Sequence, residues 1–156
     1  SPANPPRRYA VDPGKQLTDS WRGSTLTGSR YALALRGANG FLRLFCGEVT
    51  ATAAASAANP EIRVSYDVAN SAVYLTLINS GSGPCTFTVT SNAYRKDGPW
   101  TFTVKAGGVA DTNWSVVESG NWYDFSVTVD VQSEFLRRFA GRLENGSDLI
   151  SDPAAA

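Results

Sequence analysis

Histidine is absent from these 156 residues, and only two cysteines are present. The lack of histidine removes the usual general base of serine and cysteine nucleophiles and the most common metal ligand. The cysteines lack the spacing of a zinc site, and no glycine-rich segment has the pattern of a phosphate-binding loop. Glu118 lies beside a turn, and Asp124 alternates away from the core-facing residues, so neither is a good acid–base candidate. We expect no catalysis, no cofactor and no metal.

The chain also has no net charge, because 14 basic residues balance 14 acidic residues. Nucleic-acid binding needs a concentrated basic face, and electrostatic docking on anionic lipid needs a surplus of lysine and arginine. Like charges occur only in pairs, and the purely apolar stretches are short. The composition therefore argues against a nucleic-acid partner and against a membrane-spanning segment.

The two cysteines, Cys46 and Cys85, leave two interpretations open. The preferred one is a pair of small buried thiols. The alternative is a disulfide that closes a loop of about 40 residues, which would contribute about 4 kcal/mol in the chain-entropy model. That alternative needs an oxidising compartment.

Short segments in which apolar and polar residues alternate are the main feature that is present. Turn residues separate these segments, and their threonine and aromatic side chains favour half-buried strands. Seven such segments predict an all-β fold, an immunoglobulin- or fibronectin-like antiparallel β-sandwich. They lie at about residues 60–67, 73–77, 85–90, 100–104, 112–116, 123–129 and 135–143.

An internal repeat with a period of about 93 residues is the second feature. The period is too long for a solenoid and suits a whole small β-domain. The chain is therefore predicted to hold the last strands of a first copy, followed by a complete second copy. The matched segments are 6–21 with 99–114, 28–35 with 120–127, and 41–47 with 135–141.

The repeat divides the chain into the end of a first sandwich (1–49), a linker (50–59), a complete second sandwich (60–153) and a tail (154–156). The first part supplies roughly four of seven strands, which leaves an apolar face and open edges. Three arrangements are open: these strands pack on the second domain, pair with another chain, or are completed by sequence before residue 1. We favour the third.

Residues that the two copies share are predicted to be structural, because both copies must build the same sandwich. Trp100 alternates with Phe102 and is expected in the core as well. Arg43 and Arg137 each lie between two phenylalanines, which indicates an ion pair or stacking on an aromatic ring. The apolar pairs expected in the core are Tyr31/Tyr123, Trp21/Trp114, Leu33/Phe125, Leu35/Val127, Phe41/Phe135 and Phe45/Phe139.

Aromatic residues that the copies do not share are better candidates for function. Trp122 corresponds to Arg30 and alternates onto the outward face, so it is predicted to be exposed. An exposed tryptophan serves as an interfacial anchor or a stacking platform; packing against a neighbouring domain is the preferred alternative. Tyr94 precedes the turn at Asp97 and is expected to be exposed too. Trp122 and Tyr94 are the candidate lipid or partner contacts.

Several motifs of the second copy occur in a recognisable order: Asn92-Ala-Tyr94, Gly98-Pro-Trp100, Trp122-Tyr-Asp124, Phe135-Leu-Arg-Arg-Phe-Ala-Gly141 and Ser151-Asp-Pro153. Together they resemble the C-terminal module of bacterial phosphocholine-preferring phospholipases C. In that family two tandem β-sandwich modules follow a large N-terminal phosphoesterase domain. The first copy departs from the pattern, since Cys46 replaces Ala140 and Arg30 replaces Trp122.

The resemblance implies a non-catalytic accessory module of a secreted or periplasmic bacterial enzyme that cleaves phosphatidylcholine or sphingomyelin. Its partners would be the N-terminal phosphoesterase domain and a phosphatidylcholine membrane surface, with self-association through the incomplete first copy also open. No catalytic residue of the family can be placed on this chain. The alternative is a purely structural or protein-interaction sandwich with no lipid affinity. A carbohydrate-binding sandwich ranks last, because only Trp122 and Tyr94 would serve it.

Overall fold

The computed structural model describes residues 6–21, 30–49, 58–148 and 150–154. Within these ranges the chain forms nine β-strands and a single 3₁₀ turn at Val117–Ser119. The strands are β1 Arg30–Arg36, β2 Leu42–Glu48, β3 Pro60–Asp67, β4 Ala72–Asn79, β5 Cys85–Ser91, β6 Trp100–Val104, β7 Gly108–Ser115, β8 Trp122–Val129 and β9 Gln132–Arg142.

The strands form two sheets, and each strand pair is antiparallel. The large sheet has the order β1-β2-β9-β8-β5-β6, and the small sheet has the order β3-β4-β7. Leu75 and Leu77 of the small sheet share one buried cluster with Phe87 and Phe125 of the large sheet. The prediction of an all-β antiparallel sandwich is therefore confirmed, and β3 to β9 are the seven strands expected in the second copy.

Three aromatic rings hold the two sheets together. The ring centroid of Trp114 on β7 lies 4.9 Å from that of Trp100 and 4.9 Å from that of Phe125. Trp100 packs against the buried cluster, as the alternation predicted. Full burial of one such side chain stabilises the fold by about 2–3 kcal/mol.

β2 and β9 lie side by side, which places strands of the two predicted copies in one sheet. Leu44 is the direct partner of Arg138, which is its counterpart in the repeat, and Arg43 faces Phe139 just as Phe45 faces Arg137. Antiparallel pairing of equivalent strands about their midpoint creates a local two-fold axis. The strands β1-β2-β9-β8 are arranged about this axis. The first-copy strand β2 thus pairs with β9 of the predicted second copy.

The first copy forms two strands where about four were expected. Residues 6–21 contain no strand, whereas their counterparts contribute to β6 and β7. Those strands are held by β5 and β4, respectively. The described residues contain no first-copy equivalent of β4 or β5, so the 6–21 segment has no backbone ladder to join. Most of the expected linker, residues 50–57, lies outside the described residues.

The core residues predicted from the repeat are buried in the second copy only, because the first-copy strands have no covering sheet among the described residues. All six second-copy members of the shared apolar pairs are buried. The prediction that the first-copy members are core is wrong, because no second sheet covers them. Leu35 is 45% exposed, Trp21 and Phe41 are similarly exposed, and Tyr31, Leu33 and Phe45 are half-buried.

The two repeated arginines are structural, as expected. Arg137 donates to the Glu61 carboxylate at 2.9 Å, and its guanidinium lies 4.3 Å from the ring centroid of Phe135. Arg43 lies 4.2 Å from the ring centroid of Phe41 and donates to the Tyr123 hydroxyl at 3.0 Å. Each arginine therefore combines stacking with hydrogen bonds at the seam between the copies.

Cys46 and Cys85 are free thiols, so the disulfide alternative is wrong in this structure. Cys46 is half-buried on β2, and Cys85 belongs to the buried cluster on β5. The order β2-β9-β8-β5 separates the two strands by three steps, or about 14 Å at the usual strand spacing. A disulfide requires Cα atoms within about 7 Å.

Candidate contact site on the outer face of the large sheet

The alternation along β8 determines which side chains reach the outer face of the large sheet. Tyr123, Phe125 and Val127 point into the core, and Trp122 and Asp124 point away from it, as predicted. The prediction that Trp122 is exposed is nevertheless wrong, because only 7% of its surface is accessible. Three segments cover it: the connection between β5 and β6 that carries Tyr94, the C-terminal residues that follow β9, and the β1–β2 turn at Gly40.

Trp122 is held by contacts on several sides. Its indole Nε1 donates to the Ile150 carbonyl at 3.1 Å, and its ring lies 6.3 Å from the Tyr94 ring. The Arg142 guanidinium lies 5.8 Å from its ring centroid, which is within cation–π range. A Cβ atom at Gly40 would lie 2.8 Å from the Trp122 ring, so the glycine allows the β1–β2 turn to touch the indole.

Tyr94 has a backbone conformation that is rare for a bulky residue. Its φ is 70°, in the left-handed region. Such a conformation costs about 1–3 kcal/mol and persists where surrounding contacts hold it, often at functional sites. Here the hydroxyl donates to the Asp152 carboxylate at 2.8 Å. Burial, followed by this hydrogen bond, raises the pKa of the Tyr94 hydroxyl above its ordinary value of 10.0.

Both carboxylate oxygens of Asp124 accept hydrogen bonds from neighbouring side chains. The carboxylate accepts two hydrogen bonds from Arg138, at 2.8 and 2.5 Å. It also accepts one from Asn92 at 2.8 Å. A carboxylate held by a bidentate arginine and an amide is a structural group. The expectation that Asp124 does no acid–base work fits this geometry.

These side chains surround a cavity of about 310 Å³ that is open to solvent. Tyr94 and Trp122 supply aromatic walls, and Asp152 and Arg138 supply charge at one side. Phe41 also borders the cavity, but its ring stacks on Arg43. Arg36 at the end of β1 lines the cavity too, and it forms no hydrogen bond or ion pair with the residues that the structure describes. The cavity thus combines aromatic rings, a carboxylate and an available guanidinium.

The sequence identified two of these lining residues and missed Arg36, Phe41 and Asp152. One signal for Arg36 was present, because it corresponds to Thr128 in the repeat. This is the same lack of a match that singled out Trp122. Phe41 matches Phe135, which concealed its position at the cavity. Asp152 follows the last strand, so no periodicity could place it.

The described residues contain no group of three or more cysteine, histidine or acidic side chains that could hold a metal ion. No helix in the described part of the chain is long and apolar enough to cross a membrane.

The family model described as "Bacterial phospholipase C, C-terminal domain" matches residues 1–48 and 60–142. The chain belongs to this family. It is 41% identical over 151 residues to a non-hemolytic phospholipase C of Pseudomonas aeruginosa. The aligned region covers 96% of the chain and 22% of that relative. A non-hemolytic phospholipase C of Burkholderia pseudomallei is 42% identical, covering 97% of the chain and 21% of that relative.

A hemolytic phospholipase C of Pseudomonas aeruginosa is more distant, at 36% identity over 142 residues, with 90% of the chain and 19% of that relative covered. The chain thus spans about a fifth of the length of each of these relatives. The resemblance drawn from the motifs is confirmed. Since the match is confined to the C-terminal domain, this chain alone is not the catalytic part of such an enzyme.

Proposed function

We propose that this chain is an accessory module of a secreted or periplasmic bacterial phospholipase C that hydrolyses phosphatidylcholine or sphingomyelin. In this proposal the module positions an N-terminal phosphoesterase domain at the lipid surface. The observation that carries the proposal is the outer-face cavity, which combines Arg36, Tyr94 and Asp152. It lies on the sheet face opposite the core, where another surface can reach it.

The cavity has the chemistry for a zwitterionic headgroup. A guanidinium binds phosphate oxygens through several parallel N–H donors, and Arg36 is available for this. An alkylammonium group binds to aromatic faces and carboxylates, which Tyr94 and Asp152 supply. The backbone strain at Tyr94 supports a role for its ring beyond filling space.

Flotation of the chain with phosphatidylcholine vesicles tests this proposal. We expect the chain to float with the vesicles, and Arg36→Ala to reduce the bound fraction severalfold without changing the unfolding midpoint. Arg63→Ala is the matched control, because Arg63 is an exposed arginine on the small sheet. A chain that stays in the dense fraction, or equal binding by both variants, would reject lipid positioning.

A second candidate function is a structural or protein-interaction module with no lipid affinity. The observation that favours it is the burial of Trp122, since an indole that is 7% exposed cannot insert into a bilayer as an anchor. The full-length enzyme separates the two candidates. Lipid positioning predicts that Arg36→Ala lowers activity on vesicles and leaves activity on a soluble short-chain substrate unchanged, whereas a structural module predicts no change on either.

A further inference from the structure

The outer face of the large sheet is apolar where β1, β2 and β9 run side by side. Arg43 on β2 reaches the Tyr66 hydroxyl of the small sheet, so Arg43 points to the inner face. Its neighbours along β2 point the other way, because side chains alternate along a strand. The apolar side chains that share this outer face, here named the outer strip, are Ala32, Ala34, Leu42, Leu44, Cys46 and Leu136. The two alanines are exposed, and the other four side chains are half-buried.

Polar groups bound the outer strip at both ends. At one end Leu42 is the direct partner of Arg36, and both residues line the outer-face cavity. At the other end Arg30 forms ion pairs with Glu48 and Glu134. Arg30 and Arg36 are the first and last residues of β1, which places them about 20 Å apart at the usual rise of a strand. The strip is thus an apolar path of limited length that begins at the wall of the cavity.

The distribution of charge along this path matches that of a phospholipid. The side chains of the strip carry no charge, whereas the guanidinium of Arg36 is available at the cavity. Arg138 flanks Leu44, but its guanidinium is held by Asp124 on β8. A ligand with an anionic head and an uncharged tail therefore meets a suitable surface at each of its two parts.

We propose that the outer strip binds the hydrocarbon chain of a single phospholipid whose phosphocholine headgroup occupies the cavity. The inference rests on the proposed function, since the headgroup enters the cavity before the chain can lie along the strip. With the phosphate at Arg36, the first carbons of the chain lie at Leu42, and the chain passes Leu44 towards Cys46. The module then holds one lipid molecule by both of its parts, in addition to contacting a layer of headgroups.

A protein partner is a weaker occupant for this strip. A stable protein interface takes about 20–30 residues from each side, whereas the strip offers six side chains between a cavity and a set of ion pairs. A hydrocarbon chain needs much less surface, because neighbouring strands lie about 4.8 Å apart and two or three of them span its width.

Alkylphosphocholines of increasing chain length test the proposal. Their binding to this chain is measured by calorimetry below the critical micelle concentration. Full burial of one methylene strengthens binding by up to about fourfold. Because the strip covers a chain on one side only, we expect a gain of about twofold per methylene from hexyl- to octyl- to decylphosphocholine. Alkyl maltosides with the same chains lack the phosphocholine group and should bind at least tenfold more weakly.

Leu44→Gln should abolish the dependence on chain length and leave the affinity for phosphocholine itself unchanged, because Leu44 lies on the strip and outside the cavity lining. Ile78→Gln is the matched control, since Ile78 is a half-buried residue on the outer face of the small sheet. Ala34→Gln, at an exposed position on β1, replaces Leu44→Gln should that variant not fold.

Cys46 supplies a native reporter on the strip. Decylphosphocholine should slow the reaction of Cys46 with a thiol reagent at least fivefold, whereas phosphocholine should leave the rate unchanged. Mass spectrometry of the labelled peptides separates this reaction from that of Cys85, which is buried in the core.

An affinity that does not rise with chain length would overturn this proposal and leave the headgroup site of the proposed function standing. Absence of binding by every alkylphosphocholine would reject both. Equal binding of the maltosides would show adsorption without headgroup recognition and overturn it as well. Protection of Cys46 in the ligand-free full-length enzyme would assign the strip to another domain, and protection that grows with the concentration of this chain would assign it to a second molecule. Either result overturns the proposal.

Discussion

The guanidinium of Arg137 donates a hydrogen bond to the hydroxyl of Tyr31, 3.0 Å away and 106 positions earlier in the chain. The reciprocal bond runs from Arg43 to Tyr123, also at 3.0 Å. Each arginine is therefore bound to the tyrosine of the other copy. The seam between the copies is held by crossed polar contacts as well as by the backbone ladder.

Arg137→Ala should destabilise the chain by about 3 kcal/mol, because it removes a buried guanidinium and leaves the Cys46 carbonyl and Glu61 without their donor. The measurement is urea unfolding followed by tryptophan fluorescence. Arg63→Ala, at an exposed position on β3, should change the free energy of unfolding by less than about 0.5 kcal/mol. Equal effects of the two substitutions would show that the Arg137 contacts contribute nothing specific.

Gly40→Ala should be more destabilising than Gly146→Ala. Both glycines have left-handed φ, 68° and 79°, so each alanine costs about 1 kcal/mol in backbone strain. Only at Gly40 would the added Cβ meet another group, the Trp122 ring at 2.8 Å, while nothing lies within 4 Å at Gly146. The added loss should be about 1–2 kcal/mol, together with a changed near-ultraviolet circular dichroism spectrum. Matching losses would argue against close packing of the β1–β2 turn on Trp122.

The free energy of unfolding should fall as the pH rises above about 10. Burial, followed by hydrogen bonding, raises the pKa values of Tyr66 and Tyr94 above the ordinary 10.0. In this range the folded state keeps protons that the unfolded state loses, so each pH increment favours unfolding. Urea titrations at several pH values from neutral upward measure the slope. The double variant Tyr66→Phe, Tyr94→Phe should have a shallower slope, and parallel curves would contradict this assignment.

Reducing agent should leave the midpoint of unfolding unchanged, because both cysteines are free thiols. A thiol reagent should titrate two groups in the unfolded chain without prior reduction. In the folded chain Cys85 should react far more slowly than the half-buried Cys46. Burial raises the pKa of the Cys85 thiol and lowers its thiolate fraction. If the unfolded chain had no titratable thiols and reducing agent lowered the midpoint, Cys46 and Cys85 would be bonded to each other. Such a bond would require β2 to take a different position.

The sequence patterns predicted the strands of the second copy well, because alternation at period two reports directly which side of a strand is buried. The same pattern placed Trp122 on the outer face correctly and still gave the wrong exposure. Its cover comes from Tyr94 and from residues near Ile150, and contacts between segments distant in sequence leave no periodic signal. Repetition identified Arg43 and Arg137 as structural, but it could not show that Leu35 lacks the neighbours that Val127 has.

The ladder between β2 and β9 also determines how the molecule responds to force. Five residue pairs, from Leu42 with Ala140 to Cys46 with Leu136, connect the two copies directly. Copies joined only by a flexible linker would swing independently, whereas these cannot rotate without breaking backbone hydrogen bonds. A load applied to β1 is therefore transmitted as shear through β2 into β9. Any domain attached ahead of β1 through a rigid connection would keep a constant orientation relative to the second sandwich.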